Sequence, residues 1–183
     1  MKTFIEIGSC DFDTLNYLAD NGWKGVIVEP IKERLDNIVK KPNVAYFNAA
    51  CSTEFGKAEI WKFKESEIEK DPDYAGMTSF RPEVFSANVD KTKSKMELRE
   101  VITMTYSNIL ELAAVEQVDF LKIDTEGFDW IILQTVEFEG PLRPKFIKVE
   151  HAHIDDELAA AFLRGKGYHV DVQARDIFAV DIK

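Results

Sequence analysis

The chain has 183 residues, 45% of them hydrophobic and 31% charged, with a net charge of −10. That length suits one well-buried domain, and an acidic balance without a basic stripe argues against duplex nucleic acid or an anionic membrane surface as a partner. No apolar run approaches the roughly 20 residues of a membrane span, Met1-Lys2-Thr3 leads straight into a strand pattern without the marks of a secretory signal, and Cys10 and Cys51 alone make no disulfide scaffold, so a reducing cytoplasm is expected.

Phe4 to Ile7 reads as a buried strand that stops at Gly8. Leu15, Leu18 and Ala19 then follow helical spacing up to Asn21-Gly22, a helix stop. Gly25 to Val28 is a second apolar strand, ending in Glu29-Pro30. Ile31, Leu35, Ile38 and Val39 mark an amphipathic helix before Pro42, and Val44 to Asn48 is a third strand. Strand and helix alternating over short connections predict a parallel sheet with helices on its faces.

Ala58 to Phe63 alternates like a half-exposed strand, and Glu97 to Thr103 does the same. Residues 64–95 between them are charged and aperiodic and carry Pro72, Gly76 and Pro82. They are read as a surface insertion, either a lid over the ligand or a passive loop. Met77 to Arg81 mixes apolar, hydroxyl and cationic groups suited to substrate contact. Ile109 to Val115 is expected to be helical, and Val118 to Asp124 is a further buried strand with an acid at its end. A helix with Trp130, Ile131 and Leu133 follows, then a strand from Phe146 to Glu150. Asp155 is expected to cap a helix bearing Leu158, Ala159, Phe162 and Leu163. Tyr168 to Val172 and Ile177 to Ile182 flank a hairpin turn. The whole predicts one doubly wound α/β domain, residues 1–183, whose mostly parallel sheet ends in an antiparallel C-terminal hairpin.

In such sheets the first strand-to-helix turn binds the ligand. A diphosphate cofactor needs several glycines there, so that backbone N–H groups can approach it. This turn has only Gly8, followed by Asp11, Phe12 and Asp13. Carboxylates repel a diphosphate but attract a cation, which favours S-adenosylmethionine, with its sulfonium and ammonium groups and no phosphate. Glu29, 21 residues after Gly8, stands where an acid accepts hydrogen bonds from ribose hydroxyls. Asp13 and Thr14 suit helix capping, ligand contact or both. A bulky residue in place of Gly8 is expected to abolish binding of S-adenosylhomocysteine while leaving the chain folded.

With these residues in hand, nearly the whole chain resembles the FkbM-type S-adenosylmethionine-dependent methyltransferases. Glu6-Ile-Gly8-Ser-Cys-Asp-Phe-Asp13-Thr14 resembles that family's opening turn, and Val28-Glu29-Pro30 its second strand end. Asn43 to Gly56 is similar to the segment around its third strand. The most specific match is Lys122-Ile123-Asp124-Thr125-Glu126-Gly127, which resembles its Lys-Ile-Asp-x-Glu-Gly signature. The resemblance implies a Rossmann-like class I methyltransferase fold with a seven-stranded sheet, and methyl transfer to oxygen of a small-molecule or sugar-containing acceptor. It places Glu6, Gly8 and Ser9 around the methionine end of the cofactor, Glu29 at the ribose, and Asn48 and Ala49 near the adenine. Cys10, Asp13, Thr14, Pro30 and Asp124 complete the expected cofactor set. Phe12, and Thr105-Tyr106-Ser107, depart from residues common in the family.

Asp124, Glu126, Glu150, His151 and His153 are expected to converge at one sheet edge, with Asp124, Glu126 and His151 taken as the catalytic set. Two readings stay open for this cluster: a general base for a hydroxyl nucleophile, or a divalent metal that orients it, the latter possible but not assigned. Cys10 and Cys51 are read as separate thiols rather than a redox pair. A catalytically idle binder of the same fold and a nicotinamide-dependent oxidoreductase are the alternatives. A homodimer that shields the site is a further possibility.

Overall fold

Thr3, Phe4, Ile5 and Ile7 favour extended backbone, and they form β1 (Thr3–Ile7), buried along its whole length as a central parallel strand must be. The computed structural model describes residues 1–11 and 15–183; Phe12, Asp13 and Thr14, with the capping and cofactor roles expected of the last two, lie outside the described residues. The next element is a 3-10 helix, Asn16–Asn21, closed by Gly22 in the left-handed region at φ 79, a conformation that costs glycine nothing. Then come β2 (Lys24–Val28), α1 (Lys32–Asn37) and β3 (Val44–Phe47). β1, β2 and β3 pair in parallel, with Phe4 in register with Gly25. A Cβ at Gly25 would lie 2.2 Å from the Phe4 ring, so the glycine makes room for it.

The chain then leaves this sheet through β4 (Ala50–Cys51) and β5 (Gly56–Phe63). α2 (Glu65–Ile68), β6 (Thr78–Ser79) and α3 (Val89–Ser94) follow, with two short 3-10 helices, before β7 (Met96–Met104). β5 and β7 pair antiparallel from Gly56↔Thr103 to Phe63↔Met96, and a separate four-stranded sheet forms in the order β4-β7-β5-β6. The sequence shows β5 and β7 as strands but not that they pair. Residues 64–95 are therefore a series of short elements, anchored where Phe63 stacks on Tyr74 at 4.1 Å and meets Phe85 at 6.0 Å.

β7 returns the chain through α4 (Tyr106–Leu112) to β8 (Phe120–Ile123), α5 (Asp129–Gln134) and β9 (Phe146–Glu150). α6 (Asp156–Gly165) starts where the Asp155 carboxylate accepts the Leu158 N–H at 2.9 Å, as the capping pattern predicts. β10 (Tyr168–Gln173) and β11 (Asp176–Asp181) pair antiparallel, and β11 also pairs antiparallel with β9. The main sheet thus runs β10-β11-β9-β8-β1-β2-β3. Strand order reverses between β1 and β8, and that reversal opens a crevice at their C-terminal ends.

Two cores hold the sheet. Ile5, Ile7, Leu121 and Ile123 pack on one face with Ile109, Leu133 and Leu163 from α4, α5 and α6. Phe4 and Ile27 pack on the other with Leu15, Ala19, Leu35 and Ile38. Glu6 points to this second face, in register with Lys122 of β8.

Candidate functional site

The C-terminal ends of β1, β2, β8 and β9 open onto one cavity of about 370 Å³, a size suited to a small-molecule ligand. Ile7, Gly8, Ser9 and Cys10 line it from β1, and Val28, Glu29 and Pro30 from β2. Ala49, Ala50, Cys51 and Ile60 form an apolar wall. Asp124, Thr125 and Glu126 follow β8, Glu150 ends β9, and Arg175 comes from the β10–β11 turn. The segment 73–80 closes another side, with Met77, Thr78, Ser79 and Phe80 lining the cavity and Arg81 not among them.

Gly8 leaves β1 at φ +78, and a Cβ there would lie 1.8 Å from the Asp124 carbonyl oxygen. Its N–H donates to Val28 O at 2.9 Å, while the Asp124 N–H donates to Ile7 O at 3.0 Å. The glycine is therefore needed where the backbones of two strand ends meet. A bulky residue here would collide with main chain, so the expectation that the fold would be untouched does not stand.

Cys10 continues the turn at φ 49 and donates its N–H to Glu29 Oε2 at 2.8 Å. Ile31 N–H donates to the other oxygen, Oε1, also at 2.8 Å. Glu29 is only 5% exposed, and burial pushes its carboxyl up to about 7 against these two donors. It ties the two ligand-side turns together and still lines the cavity.

Glu6 and Asn48 lie elsewhere. The Glu6 carboxylate is fully buried, accepting from Lys122 Nζ at 3.1 Å and from the Leu15 N–H at 3.0 Å. Strand alternation turns it away from the cavity, so it braces β1 against β8 instead of lining the cofactor space. Asn48 is exposed, and its amide donates to the carbonyls of Glu29 and Pro30 at 3.0 and 2.9 Å, outside the cavity lining.

Lys122 reaches from Glu6 to Asp124 Oδ2 at 3.3 Å. Burial works against its charge, but the two carboxylates prevail and raise its pKa. After Asp124 the chain turns sharply, with Glu126 at φ 53 and Gly127 at φ 97. Asp129 fixes that turn: its carboxylate accepts the N–H groups of Thr125 at 2.7 Å and Gly127 at 2.9 Å. Ser79 Oγ donates to Glu126 O at 2.6 Å, and Phe80 packs on Phe128 with centroids 4.8 Å apart. Segment 73–80 is thereby tied to the turn that presents Glu126.

The Glu126 carboxylate meets His153 Nε2 at 2.9 Å. Burial, then the charges of Asp124 and Asp129, push Glu126 up to about 7, while burial, then Arg175 and Arg81, lower His153. Both shifts favour a hydrogen bond between neutral groups. Glu150, 11% exposed at its side chain, contacts Arg175 at 3.2 Å. Its carboxyl is pushed up to about 8 by burial and then by Asp124, Glu126 and Asp129. His151 does not line the cavity: its N–H donates to Arg175 O at 2.8 Å and its ring turns inward, Nε2 buried. The chain has left β9 at that point, so the local turn sets side-chain direction; of the two histidines only His153 reaches Glu126, and it too lies outside the cavity lining.

Cys10 and Cys51 are free and both line the cavity. Burial pushes each thiol up to about 12, so neither supplies a thiolate at neutral pH. Among the described residues no helix is long and apolar enough to cross a membrane.

A family model described as the methyltransferase FkbM domain matches residues 6–170. Neither a curated protein nor a solved structure gives a significant match to the chain.

Proposed function

The chain belongs to the FkbM methyltransferase domain family, and we propose that it transfers a methyl group from S-adenosylmethionine to an oxygen of a small-molecule or sugar-containing acceptor. The observation that carries this reading is the carboxyl-rich lining of the cavity. Glu29, Asp124, Glu126 and Glu150 line it, against Lys122 and Arg175 among its described lining residues. Lys122 is engaged by Glu6 and Asp124, and Arg175 by Glu150. A cation entering this lining favours ionisation of the raised carboxyls and is held by them, whereas a diphosphate keeps them neutral and gains no such attraction.

S-adenosylmethionine fits this donor set, and when bound it supplies a methyl group activated by the sulfonium charge. Glu29 keeps a lone pair on each oxygen beyond its two N–H donors, enough to accept from ribose hydroxyls. The turn from Gly8 to Cys10 and the apolar wall of Ala49, Ala50 and Ile60 surround the remaining cofactor space. Asp124, held by Lys122, accepts the proton of the acceptor hydroxyl. Segment 73–80 acts as the cover that keeps water from the reacting groups.

Titration calorimetry with S-adenosylhomocysteine and, separately, with NAD tests the reading. Saturable binding of the first alone supports it. Binding of NAD without S-adenosylhomocysteine overturns it in favour of redox chemistry, and transfer of a labelled methyl group separates an enzyme from an idle binder.

A further inference from the structure

Glu126, Glu150 and His153 come from three places: the turn after β8, the end of β9 and the loop before α6. Each offers one ligand atom, and the three atoms lie within 4.8 Å of one another. A hydrogen bond accounts for one of these contacts, between Glu126 Oε2 and His153 Nε2. It does not account for Glu150, whose Oε2 is shielded from solvent and has no hydrogen-bond partner among the described residues. Arg175 reaches only the other oxygen, from a side chain that is 65% exposed. A buried carboxyl oxygen left without a partner is costly, and a cation bound beside it would supply one.

The backbone is also shaped around this spot. Glu126 holds a left-handed φ of 53 without being glycine, a strain found where a side chain must be aimed. At Gly127 a Cβ would come within 3.4 Å of His153 Cβ and 2.8 Å of Val84 Cγ1, so a glycine lets the histidine approach the turn. Asp129 and Ser79 clamp the same turn from two sides.

We propose that Glu126, Glu150 and His153 form a divalent-cation site in the cavity wall, whose open positions face the cavity and take an oxygen of the methyl acceptor. The second half rests on the methyl-transfer reading; the cation site does not. Two carboxylates and one imidazole form an oxygen-rich set suited to Mn²⁺ or a cation of similar preference. Three protein ligands leave positions for water, and a substrate hydroxyl that replaces such a water is oriented and made more acidic.

The test is Mn²⁺ titration of the chelator-stripped full chain, followed by loss of the free-ion paramagnetic resonance signal, with S-adenosylhomocysteine calorimetry in parallel. One saturable Mn²⁺ equivalent is expected, weakened at least about tenfold in Glu150→Gln and in His153→Ala, with enhanced water-proton relaxation reporting open positions. Glu59→Gln, on the outer face of β5, is the control and leaves the affinity unchanged. Absence of saturable binding, or the parent's affinity retained in either variant, overturns the site; saturable binding without relaxation enhancement overturns its open positions. Mn²⁺ failure with S-adenosylhomocysteine bound rejects the cation site alone. Mn²⁺ binding with S-adenosylhomocysteine failure rejects the cofactor reading and keeps the site.

Discussion

Gly8 shows how much one missing Cβ decides. A Cβ there lies 1.8 Å from Asp124 O, in a backbone conformation of φ +78. Gly8→Ala therefore combines overpacking with left-handed strain, and a loss of about 3 kcal/mol is expected in denaturant unfolding. An unchanged midpoint would show that the strand ends separate freely. Asp124 lines the cavity with Lys122 at 3.3 Å. Asp124→Asn is expected to lower turnover about 100-fold or more, as loss of a general base does, with little change in S-adenosylhomocysteine affinity. Equal turnover in variant and parent would remove the base assignment. Glu29 gives a pH signature. Because burial holds its carboxyl at about 7, the group is mostly neutral below that value and charged above it. Affinity for S-adenosylhomocysteine should therefore climb from about pH 6 to about pH 8, as the carboxylate becomes a full acceptor for ribose hydroxyls. A flat profile would separate Glu29 from the ligand.

The turn between β8 and α5 concentrates the site's geometry in one element. Asp129 accepts from Thr125 N–H and Gly127 N–H, so Asp129→Ala leaves both donors unpaired in a buried turn. A cost of about 2–3 kcal/mol is expected, with weaker Mn²⁺ binding because Glu126 loses its support. Unaltered thermal unfolding would argue that water replaces the carboxylate. Much of this element was legible: Asp124 and Glu126 follow a buried apolar run, and a strand end beside a reversal in strand order is where ligands bind. Asp129 was not, because a side chain that reaches back two and four residues to cap a turn leaves no periodic mark. Glu6 misled for a related reason: its spacing from Gly8 fits a ligand turn, but its face is set by alternation and by register with Lys122. Thr105 departs from the residue common in the family it resembles, yet it closes a capping box with Asn108 at the start of α4, a local role that any sequence with this pattern performs.

At the scale of the molecule, the main sheet was readable because its strands are apolar runs in regular alternation with helices. The second sheet was not, because β5 and β7 pair across a stretch of short elements, and long-range pairing is written in no local pattern. That same assembly gathers buried acids, and it sets how stability depends on pH. Glu29 is raised from 4.5 to about 7 by burial, against its two N–H donors, and Asp129 from 3.8 to about 6 for the same leading reason. Between the unfolded and folded values the native state holds protons that the unfolded chain has released, so stability falls as pH rises through that window. The opposite sign belongs to Asp119 and Asp181. Asp119 is lowered by its hydrogen bonds from Lys145, Thr3 N–H and Gln117 against the effect of burial, and Asp181 chiefly by the hydrogen bond from Arg143. Their stabilisation is present above the usual aspartate value and is lost as pH falls below it. The two groups together place maximum stability of the ligand-free protein near about pH 5. Tm should decline from there to about pH 8, each kcal/mol lost corresponding to about 2–4 °C for a chain of this size. A Tm that instead rises steadily over that range would show that these buried acids are charged in the native state without cost.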